Sequence, residues 1–516
     1  MDLLQDVLYD TVRHYGSRTA FDSIDRETTF DQLCARIEHL AGALSRLGIG
    51  QGDRIAILSG NCTDYIAWHY ASAKIGVILL VLNIRHTLNE LSWVINNAEA
   101  SALIIDGSYQ TLLADLSASC PSLKFTIAIG DRKAADYATD ELAAAGQEVV
   151  AEPRLSPQDP VLLIYTSGTT GKPKGGLQTH EGSVMIDRLT AEVLRTNPQD
   201  VYLAFMPYFH QAGLIRTRAT MQGGGANLVA TKFDPESLVY YLIRKNVSIT
   251  MLVPPYDTLL TEIADREKLT FPSLRFVIGA GGAGPVHAQR MRAFCTKFGC
   301  SYMGVYGQTE TTGPVTIITD QDYFTRPDSC GKPMEGIDLQ IWDEQNRSLP
   351  GGRIGEIMIR SKTCIPGYWK NETASAALYT GDWLHTGDLG KMDEEGWLYF
   401  VDRKKELIKT GGENVYSREV EDVLRSRPAI EDLVVIGLPD IDGWGEIVTA
   451  VVILKEGKLL SLDEVKSYCR DKIAGYKIPK LLKTVQSFPR NHTGKILKRL
   501  LQEQFKQDQS VKGIQG

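Results

Sequence analysis

Apolar runs of five or six residues alternate with longer amphipathic stretches along most of the chain. Asp53 to Leu58 reads as a buried strand, Asp64 to Ile75 has helical spacing, and Val77 to Leu82 reads as a second strand. Val161 to Tyr165 is a strand that runs into a turn rich in Gly, Thr and Ser. Ser248 to Val253 and Leu274 to Ile278 repeat the theme, each preceded by helical sequence. Strands alternating with helices predict βαβ units and parallel sheets. After about residue 335 the texture changes. Short strands at Asp338 to Trp342, Gly355 to Arg360 and Trp397 to Val401 are punctuated by Pro350-Gly-Gly352, Pro366-Gly367 and Glu395-Gly396. They predict a small β-rich subdomain. The charged stretch Asp402-Arg-Lys-Lys-Glu406 then precedes a tail of mixed α+β order and is the best candidate for a domain boundary. The fold class read from this is α/β, with a large N-terminal domain at 1–403 and a smaller α+β C-terminal domain at 404–516.

Composition narrows the class. At 516 residues the chain exceeds one ordinary core, and 43% apolar with 23% charged residues is globular composition. A net charge of −7 argues against a general nucleic-acid or anionic-membrane surface. The eight cysteines are scattered without a CxxC pair, which argues against a zinc site or a disulfide framework. The opening MDLLQDVLYDTVRHYG reads as an amphipathic helix and not as a secretory signal. No apolar run is long enough to span a bilayer, so the expectation is a soluble, cytoplasmic protein without integral membrane contact. A homo-oligomer is left open.

The strongest local signal is Tyr165-Thr166-Ser167-Gly168-Thr169-Thr170-Gly171-Lys172-Pro173-Lys174-Gly175. Glycines let backbone N–H groups close around an anion, hydroxyls donate, and lysines supply charge. It is not a Walker A loop, because two residues separate Gly168 and Gly171 and Pro173 follows Lys172. Further along come Met206-Pro-Tyr-Phe-His210, Ala280-Gly281-Gly282-Ala283, Tyr306-Gly307-Gln308-Thr309-Glu310, Trp383-Leu-His-Thr-Gly-Asp388, Asp402-Arg403-Lys404-Lys405-Glu406, Gly411-Gly412-Glu413-Asn414 and Asn491-His-Thr-Gly-Lys495.

These segments, in this order and spacing, resemble the signatures of the adenylate-forming superfamily, and within it the AMP-dependent acyl-CoA synthetases. The resemblance covers nearly the whole chain. It implies ATP, Mg²⁺ and coenzyme A as cofactor and co-substrates, and a small-molecule carboxylic acid as the partner. By resemblance, Thr166 to Thr170 and Lys174 serve the phosphates, and Ala280 to Ala283 form the adenine side. Tyr306 stacks on adenine, with Gly307 and Gln308 in the same motif. Thr309 reaches the α-phosphate, and Glu310 holds the metal. Asp388 takes the ribose hydroxyls, with Arg403 near ribose or phosphate. Lys495 is the catalytic lysine of the first half-reaction, Lys405 is a hinge, and Gly411, Gly412 and Glu413 form the thioester face of a mobile C-terminal domain.

The resemblance also implies an acyl pocket lined by His210, Gln211, Ala212, Arg216 and Ala280, with His210 beside the carboxylate. Gln211, Arg216 and Arg218 are more polar than a long-chain fatty-acid tunnel wants, which favours a small or medium acid. If Gln211 to Arg218 is helical, Ala212 and Arg216 share a face and Arg218 points elsewhere. A buried Arg216 then needs a partner, either a protein carboxylate or the far end of the substrate. Aryl and alicyclic acids stay open, as do two alternative activities: loading a carrier protein in trans, and a luciferase-like oxygenase. Kinase and NTPase readings fail for want of their signatures.

Overall fold

The computed structural model describes residues 2–23, 26–146, 153–166, 173–230, 234–252, 256–410, 413–439, 445–490 and 496–512, with side chains as far as residue 506. Two large sheets organise the N-terminal part. One has seven strands in the order Tyr137–Ala138, Phe125–Ile129, Ala102–Asp106, Arg54–Leu58, Ile78–Val81, Pro160–Thr166 and Lys174–Thr179. All neighbours are parallel except the final pair. The other has nine strands, running Lys332–Pro333, Gly313–Thr319, Ser301–Gln308, Phe276–Ala280, Ile249–Met251, Val201–Ala204, Ala226–Val229, Thr19–Asp22 and Glu27–Thr29. The helix at Thr63–Lys74 and the strand at Ile78–Val81 fall within a residue of the expected bounds.

The largest apolar core is shared by both sheets. Ile55, Ile57, Ile104 and Ile164 from the first meet Tyr202, Met251, Ile278 and Met303 from the second, around the helices Phe30–Arg46 and Thr63–Lys74. The opposite face of the seven-stranded sheet buries Leu58, Leu80, Leu103 and Ile105 against the Leu88–Ala98 helix. Coverage on both faces explains why these strands read as unbroken apolar runs. Helix starts are set by side chains: Thr29 with Gln32 and Thr87 with Glu90 form capping boxes. The N-terminal helix spans Leu4–Tyr15, and the Leu4 N–H donates to His180 Nδ1 at 3.2 Å. Among the described residues no helix is long and apolar enough to cross a membrane.

A five-stranded sheet follows the two large ones: Asp338–Trp342, Gly355–Arg360, Trp383–Met392 and Tyr379–Thr380 in that order, with Leu398–Arg403 also on Trp383–Met392. That last strand begins one residue later and ends two residues beyond the expected Val401. It takes in Asp402, which accepts from Ser417 Oγ at 3.0 Å, and Arg403, which pairs with Asp388.

Contacts gather the chain into two compact units. The first holds Met1–Leu339, Ile359–Thr386 and Gly396–Leu398, and the second holds Gln340–Met358, Gly387–Glu395 and Tyr399–Gly516. In the second, Ile430–Pro439, Glu446–Leu454 and Leu481–Thr484 form a three-stranded sheet. Its apolar faces are covered by the Ser417–Arg425 and Leu462–Cys469 helices on one side and by Leu501 and Phe505 of the C-terminal helix on the other.

Candidate active site

Strands Pro160–Thr166 and Lys174–Thr179 pair antiparallel, which sets Thr166 opposite Lys174. Ser167, Gly168, Thr169 and Thr170 lie outside the described residues. The outer edge of Lys174–Thr179 is taken by a segment the sequence reading treated as turn punctuation. Trp369 N–H donates to the Gly175 carbonyl at 2.7 Å and Leu177 N–H to the Gly367 carbonyl at 3.2 Å. This brings in Tyr368. Its Oη donates to Glu310 Oε1 at 2.9 Å, and Lys174 Nζ stands 5.1 Å from its ring centroid. Burial, and then the Glu310 carboxylate, push the Tyr368 phenol well up, so it stays protonated and keeps donating.

Glu310 sits in the single turn Thr309–Thr311 after strand Ser301–Gln308. The turn is held firmly: Ile365 N–H donates to the Glu310 carbonyl at 2.9 Å, and Thr311 Oγ1 donates to the Gly313 carbonyl at 2.8 Å. Gly307 has no alternative here, since a Cβ on it would lie 2.0 Å from the Gly313 carbonyl oxygen. Glu310 Oε2 takes no hydrogen bond among the described residues, and no cluster of three or more His, Cys, Asp or Glu surrounds it. One half-buried carboxylate suits Mg²⁺ that arrives with phosphate oxygens, not a protein cage.

Tyr306 lies half-buried on the same strand, and Gln308 Nε2 donates to the Thr386 carbonyl at 3.1 Å. The neighbouring strand runs to Ala280, two residues further than expected. Beyond it, Gly281 N–H donates to the Val305 carbonyl at 3.0 Å, and a Cβ on Gly281 would meet the Cys330 backbone at 2.9 Å. Ala280 and Ala283 are exposed beside these tightly packed glycines.

His210 caps the helix Gln211–Gln222, its Nδ1 accepting from the Ala212 N–H at 3.1 Å. Solvent reaches the ring, yet protein surrounds it closely enough that burial, and then the Arg216 charge, lower its pKa. Gln211 Nε2 donates to Gln178 Oε1 and, at 2.8 Å, to the Thr312 carbonyl, two residues after Glu310. Gln178 Nε2 reaches the Thr309 carbonyl at 3.4 Å. The expected acyl segment and the Glu310 turn are therefore joined by direct hydrogen bonds. Arg216 is 3% exposed; its Nη1 donates to the Ala212 carbonyl at 3.0 Å and its Nε has no partner.

A family profile described as "AMP-binding enzyme" matches residues 8–369, and one described as "AMP-binding enzyme C-terminal domain" matches 419–495. The chain belongs to the AMP-binding enzyme family. Over 490 residues it is 31% identical to a 2-succinylbenzoate–CoA ligase of Bacillus cereus, covering 94% of this chain and 95% of the relative. It is also 31% identical over 485 residues to a long-chain-fatty-acid–CoA ligase, FadD13, of Mycobacterium tuberculosis, covering 94% of each. The solved o-succinylbenzoate CoA synthetase of Bacillus subtilis, in complex with its acyl-adenylate intermediate, superposes with a TM-score of 0.82 at 28% identity, over 96% of this chain and 97% of that one. This AMP-binding enzyme is of the AMP-forming acyl-CoA synthetase class.

In the second unit of this AMP-binding enzyme, Asp388 is buried with Arg403 Nε 3.3 Å from its Oδ1. Lys405 is exposed on a turn and Glu413 on a strand edge, while Gly411, Gly412 and Lys495 lie outside the described residues. Arg490 and Ile496 are joined by an antiparallel bridge. Lys498, close by in sequence, is mostly buried. Its Nζ is 2.7 Å from Glu421 Oε1 and from Ser417 Oγ, and 3.2 Å from Glu406 Oε2. Sequence reasoning also passed over Tyr368 and Gln178. Pro366-Gly367 just before Tyr368 was visible as a turn, but nothing local marks Gln178.

Proposed function

We propose that the protein is an ATP-dependent acid:CoA ligase. The carboxylate oxygen bonds to the α-phosphorus of ATP as the bond to pyrophosphate breaks. The CoA thiol then adds to the acyl carbon, loses its proton, and expels AMP. The observation that carries this reading is the Lys174–Tyr368–Glu310 constellation, hydrogen-bonded through Gln211 and Gln178 to the segment that starts at His210. It gathers a cation, a metal-competent carboxylate and a candidate acid-binding segment on one rigid frame.

In this reading Thr166 to Thr170 and Lys174 hold the phosphates, and Glu310 holds magnesium, which offsets the charge that develops on phosphate oxygens. Tyr306 and Ala280 to Ala283 take adenine, and Asp388 with Arg403 takes the ribose. The neutral His210 sits by the carboxylate, which needs no base because it is already a nucleophile. Lys495 serves adenylation. Gly411, Gly412 and Glu413 serve thioester formation, with Lys405 as the hinge between the two arrangements. The test is to incubate the protein with ATP, Mg²⁺ and a panel of acids, and to measure AMP and pyrophosphate with and without CoA. AMP, pyrophosphate and acyl-CoA in equal amounts are expected; ADP and phosphate as primary products would remove the assignment. Lys495→Ala should cripple adenylation yet spare thioester formation from preformed acyl-adenylate, and Gly412→Leu should do the reverse.

A further inference from the structure

The helix Gln211–Gln222 is buried at every position but two, Ala212 near its start and Gln222 at its end. Within the buried stretch it carries two arginines. Arg218 is fully answered: Asp187 accepts from its Nε at 2.6 Å and its Nη2 at 3.0 Å, and His69 Nε2 lies 3.2 Å from its Nη1. Arg216 is not. It holds one neutral acceptor, the Ala212 carbonyl, and among the described residues no carboxylate forms an ion pair with it. A guanidinium cannot escape by losing its proton, so a buried one without a counter-charge is costly and persists only where something else supplies the acceptor.

A second orphan stands beside it. Tyr202, wholly buried on strand Val201–Ala204, has a hydroxyl with no hydrogen-bond partner. The Arg216 charge acts on both Tyr202 and His210, so both rings lie within electrostatic reach of the guanidinium. Helical side chains lean toward the N-terminus, and the bond to Ala212 shows Arg216 leaning so. Its head group therefore reaches the level of Ala212, the place where this helix opens to solvent, within about one turn (~5 Å) of His210. An unsatisfied guanidinium nitrogen thus lies close behind the residue that flanks the expected carboxylate site, with a second unsatisfied donor, the Tyr202 hydroxyl, in the same buried neighbourhood.

We propose that Arg216, assisted by Tyr202, binds a second carboxylate on the acyl substrate, so that the enzyme selects short dicarboxylic acids over unsubstituted acids of equal length. Arg216 is then a specificity residue that touches substrate at the end away from the reacting carboxylate. The inference rests on the acid:CoA ligase reading. It adds to it that the guanidinium is balanced only in the loaded enzyme.

The experiment compares kcat/KM for succinate, glutarate and adipate with butyrate, pentanoate and hexanoate, scored as acid-dependent pyrophosphate release. Wild type should prefer one diacid over its matched monoacid by at least tenfold. Arg216→Met should lower kcat/KM for that diacid by roughly 30-fold or more, the range for removing one partner of a buried charge pair, while the monoacid loses less or gains. Tyr202→Phe should shift the ratio the same way by about 3- to 10-fold. Arg216→Lys, which keeps the charge but not the planar fork, should fall between. Thermal unfolding of each variant checks folding. If the diacid-to-monoacid ratio is the same in wild type and folded Arg216→Met, or if wild type takes only monoacids, the inference falls and the ligase reading survives. If no acid supports AMP and pyrophosphate formation, the ligase reading itself has failed.

Discussion

The two faces of the Gln211–Gln222 helix hold the same side chain in opposite circumstances. Arg218 is held by the Asp187 carboxylate through two nitrogens and by His69 through a third, while Arg216, two residues earlier, meets only a backbone carbonyl. Both are excluded from water. Burial alone therefore does not distinguish structural charge from functional charge; completeness of the partner set does. A buried charge met by its counter-charge is closed and holds the fold, and one without a counter-charge is open and waits for a ligand.

The comparison breaks most easily at Asp187. Asp187→Asn leaves Arg218 buried without a counter-charge and should destabilise the N-terminal unit by about 3–5 kcal/mol in denaturant unfolding. A loss under about 1 kcal/mol would mean that the closed side is no more structural than the open one. The closed side also extends through His69, which feels both Arg218 and His180. Burial pushes His180 down to about 4, so it stays neutral when folded and accepts from Leu4. The unfolded chain, with an ordinary pKa near 6.5, binds the extra proton between those values. The resulting stability is complete above about pH 6.5 and is lost as pH falls toward 4, about 3 kcal/mol at most. His180→Asn should flatten that slope; an unchanged pH profile would place the titration elsewhere.

Smaller effects sharpen the open side. Tyr368→Phe removes the donor that orients Glu310, at a cost of about 1 kcal/mol, and should raise the Mg²⁺ concentration for half-maximal pyrophosphate release several-fold. An unaltered magnesium curve would make Tyr368 a packing residue. Least of all, Arg216→Met should leave stability within about 1 kcal/mol of wild type, or raise it, because an apolar side chain replaces an unbalanced charge. A loss as large as that of Asp187→Asn would erase the contrast.

The hydrophobic pattern disclosed the buried strands well, because strands covered on both faces, such as Arg54–Leu58 and Ile78–Val81, must be apolar throughout. It could not disclose their order. Ile78–Val81 lies next to Pro160–Thr166, and Thr19–Asp22 next to Ala226–Val229, through pairings between distant segments that leave no local trace. The strand Leu398–Arg403 overran its expected end because charge is tolerated in a strand once it is paired, here Arg403 with Asp388. Motif residues on single loops were legible from type and spacing. Tyr368, Gln178 and Lys498 were not, since each draws its meaning from a partner far along the chain: Glu310, Thr309 and Glu421. Arg216 stood between these cases. Its face could be foreseen from helical spacing, but whether a carboxylate met it could only be seen in the folded chain.

The hydrogen bond from the Leu4 amide to the His180 ring joins residues 176 positions apart. During synthesis the first helix must therefore wait for its acceptor to emerge, roughly 10–35 s at ribosomal elongation rates of about 5–20 residues per second. During that interval the first helix can pack on the Phe30–Arg46 and Thr63–Lys74 helices, but its contacts with the His180–Leu194 and Gln211–Gln222 helices are still missing, so the burial of Leu4 and Leu8 is incomplete. The N-terminal helix is thus made first and completed late, after the hairpin around Lys174 is already available to fold.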